Sequence, residues 1–515
     1  MDAVRGGISG GQLLAEESGD ADAGAFPRRT VLIVDLNNFA SFPTLAVGIL
    51  VAALRNAGHH VKLLVPLAHD VPASERERAE RPHHHWMRRL HLSTAPGIAW
   101  LRDGARAAWY GWQRRPHGAV LAAVRRALAE RPDALLISAY LQHHETVIAL
   151  GRIAKEAGVP LLLGGPAFNL PETAEAWRGI DGVTAIYGGE ADTLAPELME
   201  AVVSGTDLQR FPGMVLPDGR TGGVAPPFAK LDRSPVPDFS DFPWDRYPVR
   251  IVPVMTGRGC QWGRCVFCSD VVSANGRSYR TRSLPSVMHE IREQAVRCGT
   301  SNILFLDLKL NSNPALWRGI AEQIQDAAPG AQWIGTVHVD QRRDNGLSRR
   351  DLRAAARSGM RRISFGLESG SQAMLDRMDK GASVEANSAF IREANEAGLS
   401  VRCTMFAGFP GETAEDVAAS AAFLEAHAPW LDRVRCNIFS ILEDTPIWND
   451  VFGGGGRYPG IRVTGKDSPH ARARFVNLET GTAEYRRAKR RLLAAVYAIN
   501  RRRLRPEAQM FDGLM

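Results

Sequence analysis

The sequence predicts two α/β units in series: a doubly wound parallel sheet, then a partial (β/α)6 barrel, then a small C-terminal helical region. Short apolar runs recur along the chain, separated by segments with helical spacing, the pattern of parallel strands buried on both faces. A proline- and aspartate-dense stretch at 223–249 divides these runs into two groups. Three of the six cysteines fall within nine residues where the second group begins, and mark where chemistry is expected.

The first group opens with TVLIVDL at 30–36, an unbroken apolar run suited to a buried parallel strand. PTLAVGILVAALRNAG has the spacing of a helix ending at Gly58, and HVKLLVP supplies the next strand. DALLISAY, the helix TVIALGRIAKEAG, VPLLLGG and VTAIYGGE repeat the alternation. In such a sheet, small residues just past the strand ends let a ligand approach the backbone. Ser138, the turn Gly164-Gly165-Pro166 and the turn Gly188-Gly189-Glu190 fall there, in register, and suggest a large flat ligand. A nicotinamide site is disfavoured, because the first turn, DLNNFASF, lacks G-x-G-x-x-G.

Residues 66–130 separate the second and third strands by more than a usual crossover and read as an insertion. His83, His84 and His85 within it read better as a solvated basic helix start than as a metal site. Trp86, Trp100, Trp109 and Trp112 are expected to be buried, lining a channel or packing the insertion on the sheet.

Composition excludes several classes. With 45% hydrophobic and 23% charged residues, the chain reads as a soluble protein of two or three domains. No long uncharged apolar stretch predicts a membrane span, and the first 28 residues read as a flexible lead-in without a signal pattern, so a cytoplasmic location is expected. The net charge of +7 comes largely from arginine-rich helices such as RRDLRAAARSGMRR, which read as solvated faces, and no nucleic-acid partner is expected.

After the linker, IVPVMTG, NILFLDL, QWIGTVHV, RRISFGLES, LSVRCTMFAGFP and RVRCNIFSI form a run of six βα units, with chemistry expected at the strand C-terminal ends. The first strand leads into TGRGCQWGRCVFCSD, where Cys260, Cys265 and Cys268 have the spacing C-x4-C-x2-C. Zinc would need a fourth protein ligand, but Cys298 lies in a predicted helix and Cys403 and Cys436 in predicted strands. A 4Fe-4S cluster with one iron free of protein ligands fits three thiolates better.

The second unit resembles a radical S-adenosylmethionine (SAM) domain, and the first resembles the cobalamin-binding domain that precedes it in the cobalamin-dependent subgroup. The cysteine loop, SFGLESGS and GFPGET carry the first resemblance; PTLAVGILVAALRNAGHHV, LISA, LLLGGP and YGGEAD carry the second. Cys260, Cys265 and Cys268 would hold the cluster, although this family's usual spacing is C-x3-C-x2-C. Phe267 would pack near the adenine of SAM, and Glu368 and Ser371 would reach its ribose or carboxylate. Gly408 and Gly411 would form the turn beside the adenine, and Asp307 would contact SAM or substrate. Ser138, Gly164, Gly165, Gly188, Gly189 and Glu190 would meet the corrin or its nucleotide tail. Asn37 stands where D-x-H-x-x-G proteins carry the cobalt-ligating histidine, so cobalamin is expected to bind with its base displaced.

The domains implied are a flexible segment at 1–28, a cobalamin-binding domain at 29–204 with the insertion at 66–130, and a linker at 205–255. A radical SAM barrel at 256–450 and a C-terminal substrate or packing domain at 451–515 follow. The activity implied is methylation of an unactivated carbon, or of phosphorus, in a natural-product intermediate or peptide, through methylcobalamin and a 5'-deoxyadenosyl radical. Cyclisation, ring contraction or rearrangement without methyl transfer is the alternative, and a non-catalytic cobalamin or redox-binding protein a third. A small-molecule or peptide substrate and an external low-potential donor such as flavodoxin or ferredoxin are the partners implied. His470, Arg472 and Arg474 in the tail read chiefly as surface charges.

Overall fold

The computed structural model describes residues 27–37, 41–71, 79–269, 278–340, 346–458 and 460–514. The lead-in up to residue 26 therefore lies outside the described residues. Strands β1 (Thr30–Asp35), β2 (His60–Leu64), β3 (Ala134–Ser138), β4 (Leu161–Gly164), β5 (Ala185–Tyr187) and β6 (Met214–Val215) form one sheet in the order β2-β1-β3-β4-β5-β6. All pairs are parallel except β5 with β6, so the predicted linker begins by adding an antiparallel edge strand.

Both faces of this sheet are covered, which explains the unbroken apolar runs. Leu32, Val34, Leu135, Ile137, Leu161 and Leu163 face one core with the helices Gly118–Ala129 and His144–Ala157. The alternate residues Val31, Ile33, Leu136 and Leu162 face a second core that runs on into the following domain. The proline-rich linker seals that side. A side chain at Gly48 on the helix Leu45–Asn56 would collide with Phe239, and the Asp238 N–H donates to Gly48 O (2.9 Å).

The second domain begins at β7 (Val252–Val254), ahead of residue 256. A short antiparallel ladder of β8 (Gly257–Arg258) and β9 (Arg280–Thr281) closes the base of the cysteine loop. β10 (Asn302–Phe305), β11 (Gln332–Val337), β12 (Met360–Glu368), β13 (Ser400–Ala407) and β14 (Arg433–Ile438) complete a six-stranded parallel sheet in the order β14-β13-β12-β11-β10-β7. Ile303, Phe305 and Trp333 pack outward under helices, while Leu304 and Ile334 turn the other way and meet Phe511 and Leu514 from the chain's last turn. The tail thus fills part of the barrel interior. Arg362 Nη1 donates to Phe511 O (3.0 Å) there.

The tail departs from the expected helical region in one respect. β15 (Ile461–Asp467) and β16 (Arg472–Asn477) form an antiparallel hairpin before the helix Ala483–Asn500. Its alternating burial is a period-2 signal, blurred in the sequence by the small or polar residues Gly465, Asp467 and Asn477 at inward positions. At the end of that helix, the Asn500 amide bonds both Val434 N and Val434 O (2.8 Å each), covering the open edge of β14 as another strand would.

The expected burial of the insertion's tryptophans does not occur. Trp86, Trp100, Trp109 and Trp112 are all exposed, on the helices Pro82–His91 and Ala99–Gln113. No helix among the described residues is long and apolar enough to cross a membrane.

Candidate functional site

Strand register sets the site. Asp35 lies beside Ser138, Ser138 beside Gly164, and Gly164 beside Tyr187, so the C-terminal ends of four strands form one row. Above that row is a cavity of about 440 Å³, lined by Asn37, Ser138, Gly164, Gly165, Gly189 and Glu190 among others. Its far wall is Met255, Arg258 and Leu306, from the barrel, so it lies between the two domains. Gly188, the remaining predicted contact, does not line it. A Cβ there would lie 2.2 Å from Phe168 O, so this glycine permits close packing of two loops instead.

The cavity suits a large apolar ring system with a polar edge. Ile33, Leu45, Ile49, Leu136 and Leu162 make its walls apolar. Asn37 Oδ1 is buried with no hydrogen-bond partner among the described residues, and so is open to a ligand's donor. Gly165 has φ +155° and a Cβ there would lie 2.1 Å from Ala139 O. Gly165→Ala is expected to strain this turn by about 1–3 kcal/mol and to lower the unfolding midpoint in thermal melts accordingly.

Glu190 faces the cavity but is already paired. Its carboxylate accepts from Arg258 (2.9 Å), Arg280 (2.5 Å) and Phe228 N (2.6 Å), and Asp192 accepts from Arg258 (2.6 Å) and the Ser234 hydroxyl (2.6 Å). Burial alone would make Arg258 easier to deprotonate, but the two carboxylates hold its pKa above the usual range. Arg258 and Arg280 are partners in the β8/β9 ladder. The clamp therefore fastens the sheet's GGEAD turn to the base of the cysteine loop.

The loop itself is braced from the turn after the helix Gln372–Arg377. Val266 N donates to Met378 O (3.0 Å), Trp262 Nε1 donates to Asp379 O (2.7 Å), and Ile447 N donates to Val266 O (3.0 Å). None of the six cysteines is in a disulfide. Among the described residues no three metal-binding side chains converge on a single-ion position. Cys260, Cys265 and Cys268 are each half-buried. Cys260 and Cys268 border Leu141 and Leu170 from the first domain and Ala471 from the tail, so three parts of the chain meet there. Burial pushes the Cys265 thiol up to about 11, with the positive charge of Lys380 opposing.

Lys380 is the site residue that sequence reasoning missed. It is buried and its Nζ lies 3.0 Å from Glu368 Oε1. Burial would lower its pKa, but Glu368 and the sulfurs of Cys265 and Cys268 raise it. Glu368 is itself buried with φ +59°, so the end of β12 is bent into a conformation that non-glycine residues rarely adopt. The motif reading found Glu368 because it ends a strand; Lys380 follows a helix and carries no such signal.

The other predicted residues are placed as follows. Ser371 donates to Asp416 Oδ1 (2.5 Å). Asp307 is buried, accepts from Thr256 N (3.0 Å) and the Thr256 hydroxyl (2.7 Å), and burial pushes its carboxyl up to about 6. Phe267 packs edge-on to Phe406, with ring centroids 4.9 Å apart. Gly408 (φ +89°) and Gly411 (φ +76°) turn the chain after β13, and Asn477 Nδ2 in the tail hairpin donates to Gly408 O (2.9 Å). His470 Nδ1 lies 2.8 Å from Asp467 Oδ1, and Arg472 also pairs with Asp467.

Further polar groups crowd the barrel mouth. Lys309 pairs with Asp340 (2.5 Å), and the buried His338 stacks on Trp262 of the cysteine loop at 6.3 Å. Burial, helped by Lys380, brings His338 down to about 4, which keeps it neutral.

Glu412, in the turn with Gly408 and Gly411, joins barrel to tail. It accepts from Gly408 N (2.6 Å) and the Tyr485 hydroxyl (2.5 Å), and burial pushes its carboxyl up to about 7. The folded state thus holds this proton more tightly than the unfolded chain between the ordinary carboxyl value of 4.5 and about 7. Its contribution is greatest below that window and is lost as pH rises through about 7. Glu412→Gln, compared with the parent in thermal melts from about pH 5 to about pH 8, is expected to flatten that decline.

Residues 254–424 match the Radical SAM superfamily. An uncharacterized methyltransferase of Pyrococcus horikoshii is 27% identical over 326 residues, 62% of this chain and 69% of its own length. The anaerobic magnesium-protoporphyrin IX monomethyl ester cyclase of Rubrivivax gelatinosus is 27% identical over 281 residues, 51% of this chain and 49% of its own length. Among solved structures, the radical SAM methyltransferase TsrM of Kitasatospora setae, with cobalamin and a 4Fe-4S cluster bound, superposes with a TM-score of 0.62 at 17% identity, covering 94% of this chain and 92% of that one. The cobalamin-dependent SAM radical enzyme OxsB, with aqua-cobalamin and SAM bound, gives 0.62 at 16% identity over 87% of this chain and 64% of that one. The chain has the combined cobalamin-binding and radical SAM fold of these proteins.

Proposed function

We propose that this chain, which shares the fold of the cobalamin-dependent radical SAM enzymes, is a methyltransferase acting on an unactivated carbon of a small molecule or peptide. One observation carries the reading. A single cavity is walled on one side by the glycine turns of the first sheet and on the other by Met255, Arg258 and Leu306, next to the cysteine loop. Two cofactors held on opposite sides of that boundary would face a common space. Cys260, Cys265 and Cys268 would hold the cluster, and Asn37, Ser138, Gly164, Gly165 and Gly189 would border the corrinoid or its tail. When bound, these groups would supply the electron that cleaves SAM and the methyl group that is transferred.

The protein's own part is orientation and charge. The Arg258 and Arg280 clamp fixes the cavity against the cysteine loop, and Lys380 sets a buried positive charge beside Cys265. With Asn37 at the position of the absent histidine, no imidazole is offered to cobalt from this loop position. Glu368, Ser371, Phe267, Gly408, Gly411 and Asp307 remain our candidates for SAM and substrate contacts. A cyclase is the second reading, favoured by the similarity to the Rubrivivax gelatinosus enzyme.

Product counting separates them. Protein reconstituted anaerobically with iron, sulfide and hydroxocobalamin is given SAM and a low-potential reductant, and nucleosides are counted by mass spectrometry. Cobalamin-dependent S-adenosylhomocysteine alongside 5'-deoxyadenosine is expected. Deoxyadenosine alone would move the assignment to cyclisation or rearrangement, and neither product would overturn both.

A further inference from the structure

Beside the large cavity lies a second, much smaller one, of about 20 Å³. Pro235 and Pro237 of the linker close it on one side, and Arg282 and Glu290 of the second domain on another. Leu45, Ile49, Met255 and Arg258 line both cavities, so the small one adjoins the large one across a shared rim.

Two polar groups on this small cavity have unspent capacity. Glu290, on the helix Leu284–Cys298, is only 3% exposed, and its Oε2 accepts from Arg282 Nη1 (2.6 Å). Its Oε1 is buried with no hydrogen-bond partner among the described residues, a costly state that a ligand's donor would relieve. Arg258 spends Nη1 and Nη2 on Glu190 and Asp192, and its Nε has no acceptor among the described residues. The site thus offers one acceptor and one donor.

Size, charge and wall chemistry narrow the occupant. A volume of about 20 Å³ holds one or two groups the size of a water, enough for a carboxamide head and too little for a ring. Arg258, Arg280 and Arg282 are already matched in ion pairs by Glu190, Asp192 and Glu290. A further charge here would be uncompensated and away from water, so the occupant is neutral. Leu45, Ile49 and Met255 make the shared rim apolar. A water would meet the polar ends and leave that rim unused, whereas a primary amide on a short alkyl stem uses both. Corrins carry such amides around their edge, and their propionamide arms have the longer stem that the rim calls for.

We propose that this side cavity takes one propionamide arm of the corrin ring, the amide nitrogen donating to Glu290 Oε1 and the amide oxygen accepting from Arg258 Nε. The proposal rests on the corrinoid reading of the large cavity. It adds a subsite that reads one arm and so fixes how the ring is turned in its plane.

Equilibrium dialysis, read from visible absorbance, tests it on the full chain reconstituted with iron and sulfide. The probes are hydroxocobalamin and its monocarboxylates, each with a single propionamide hydrolysed to the acid. On the parent chain one monocarboxylate is expected to bind at least tenfold more weakly than hydroxocobalamin, because its acid strands a charge beside Glu290. On Glu290→Gln that ratio is expected to fall to near one, since the substituted side chain can donate to the acid. If Glu290 served folding alone, the variant would weaken both ligands equally and leave the ratio unchanged, which overturns the proposal. Equal binding of hydroxocobalamin and every monocarboxylate to the parent also overturns it and leaves the side cavity to a water. This parent series decides even where Glu290→Gln fails to fold. A parent chain that binds no hydroxocobalamin overturns the corrinoid reading of the large cavity itself, and this proposal with it.

Discussion

Cys265→Ala protein, reconstituted anaerobically, is expected to retain little iron and to form no detectable 5'-deoxyadenosine from SAM. Cys265 is the middle sulfur of the loop, and burial pushes its thiol up to about 11. Iron must displace that proton, so the energy of cluster assembly is spent partly on stabilising a buried thiolate. Lys380 lowers this cost by its charge, and alanine removes the ligand altogether. The loop's frame does not depend on the sulfur, because the bonds from Val266 to Met378 and from Trp262 to Asp379 remain. Loss of iron with a near-normal circular dichroism spectrum is therefore the expected signature. Iron content and deoxyadenosine formation equal to the parent's would remove Cys265 from the cluster.

Lys380→Met is the second large effect. It leaves Glu368 buried beside the cysteine sulfurs without its cation, a change that costs about 3–5 kcal/mol when a buried pair is broken. The expected readouts are a lower unfolding midpoint of the apoprotein and a cluster that is harder to reduce, since a nearby positive charge favours the added electron. The double variant Lys380→Met/Glu368→Gln removes both charges and is expected to recover most of the stability, because a neutral pair has no uncompensated charge. It is not expected to restore the potential. A double variant no more stable than Lys380→Met would show that the pair's charge is not what holds β12 to the turn at Lys380.

The sequence made the architecture legible because parallel strands buried on both faces leave unbroken apolar runs. TVLIVDL, LLLGG and RRISFGLES could be placed without any knowledge of their neighbours. The cavity was legible for the related reason that small residues were needed in one row. Ser138, Gly164 and Gly165 are side by side only because the strands share a register, and that register follows from the lengths of the runs. Lys380 was not legible, since its role depends on a bend at Glu368 that brings a post-helical turn over the cysteine loop. Glu190 was found for its position, but its pairing with Arg258 and Arg280 joins residues 68 and 90 positions apart, which no local pattern announces. The hairpin at 461–477 was hidden because Gly465, Asp467 and Asn477 stand at inward positions where apolar residues are expected. The tryptophans of the insertion were misplaced because burial was assumed for large aromatic side chains, whereas here the helix turns its arginines inward.

The clamp between the GGEAD turn and the β8/β9 ladder sets a caliper. Its two jaws are the sheet edge and the cysteine loop, and four buried charges hold them at one opening. Whatever is taken up between the jaws must suit that fixed span, since widening it would strand carboxylates and guanidinium groups away from water. On the side where Ala471 reaches both jaws, a second set of ties holds as well: Glu443 accepts from Glu172 N and the Thr173 hydroxyl, Lys466 pairs with Glu172, and Trp177 Nε1 donates to Pro469 O. The tail hairpin is then a second hinge pin of the caliper, and trimming it would let the jaws drift apart even with the four charges in place.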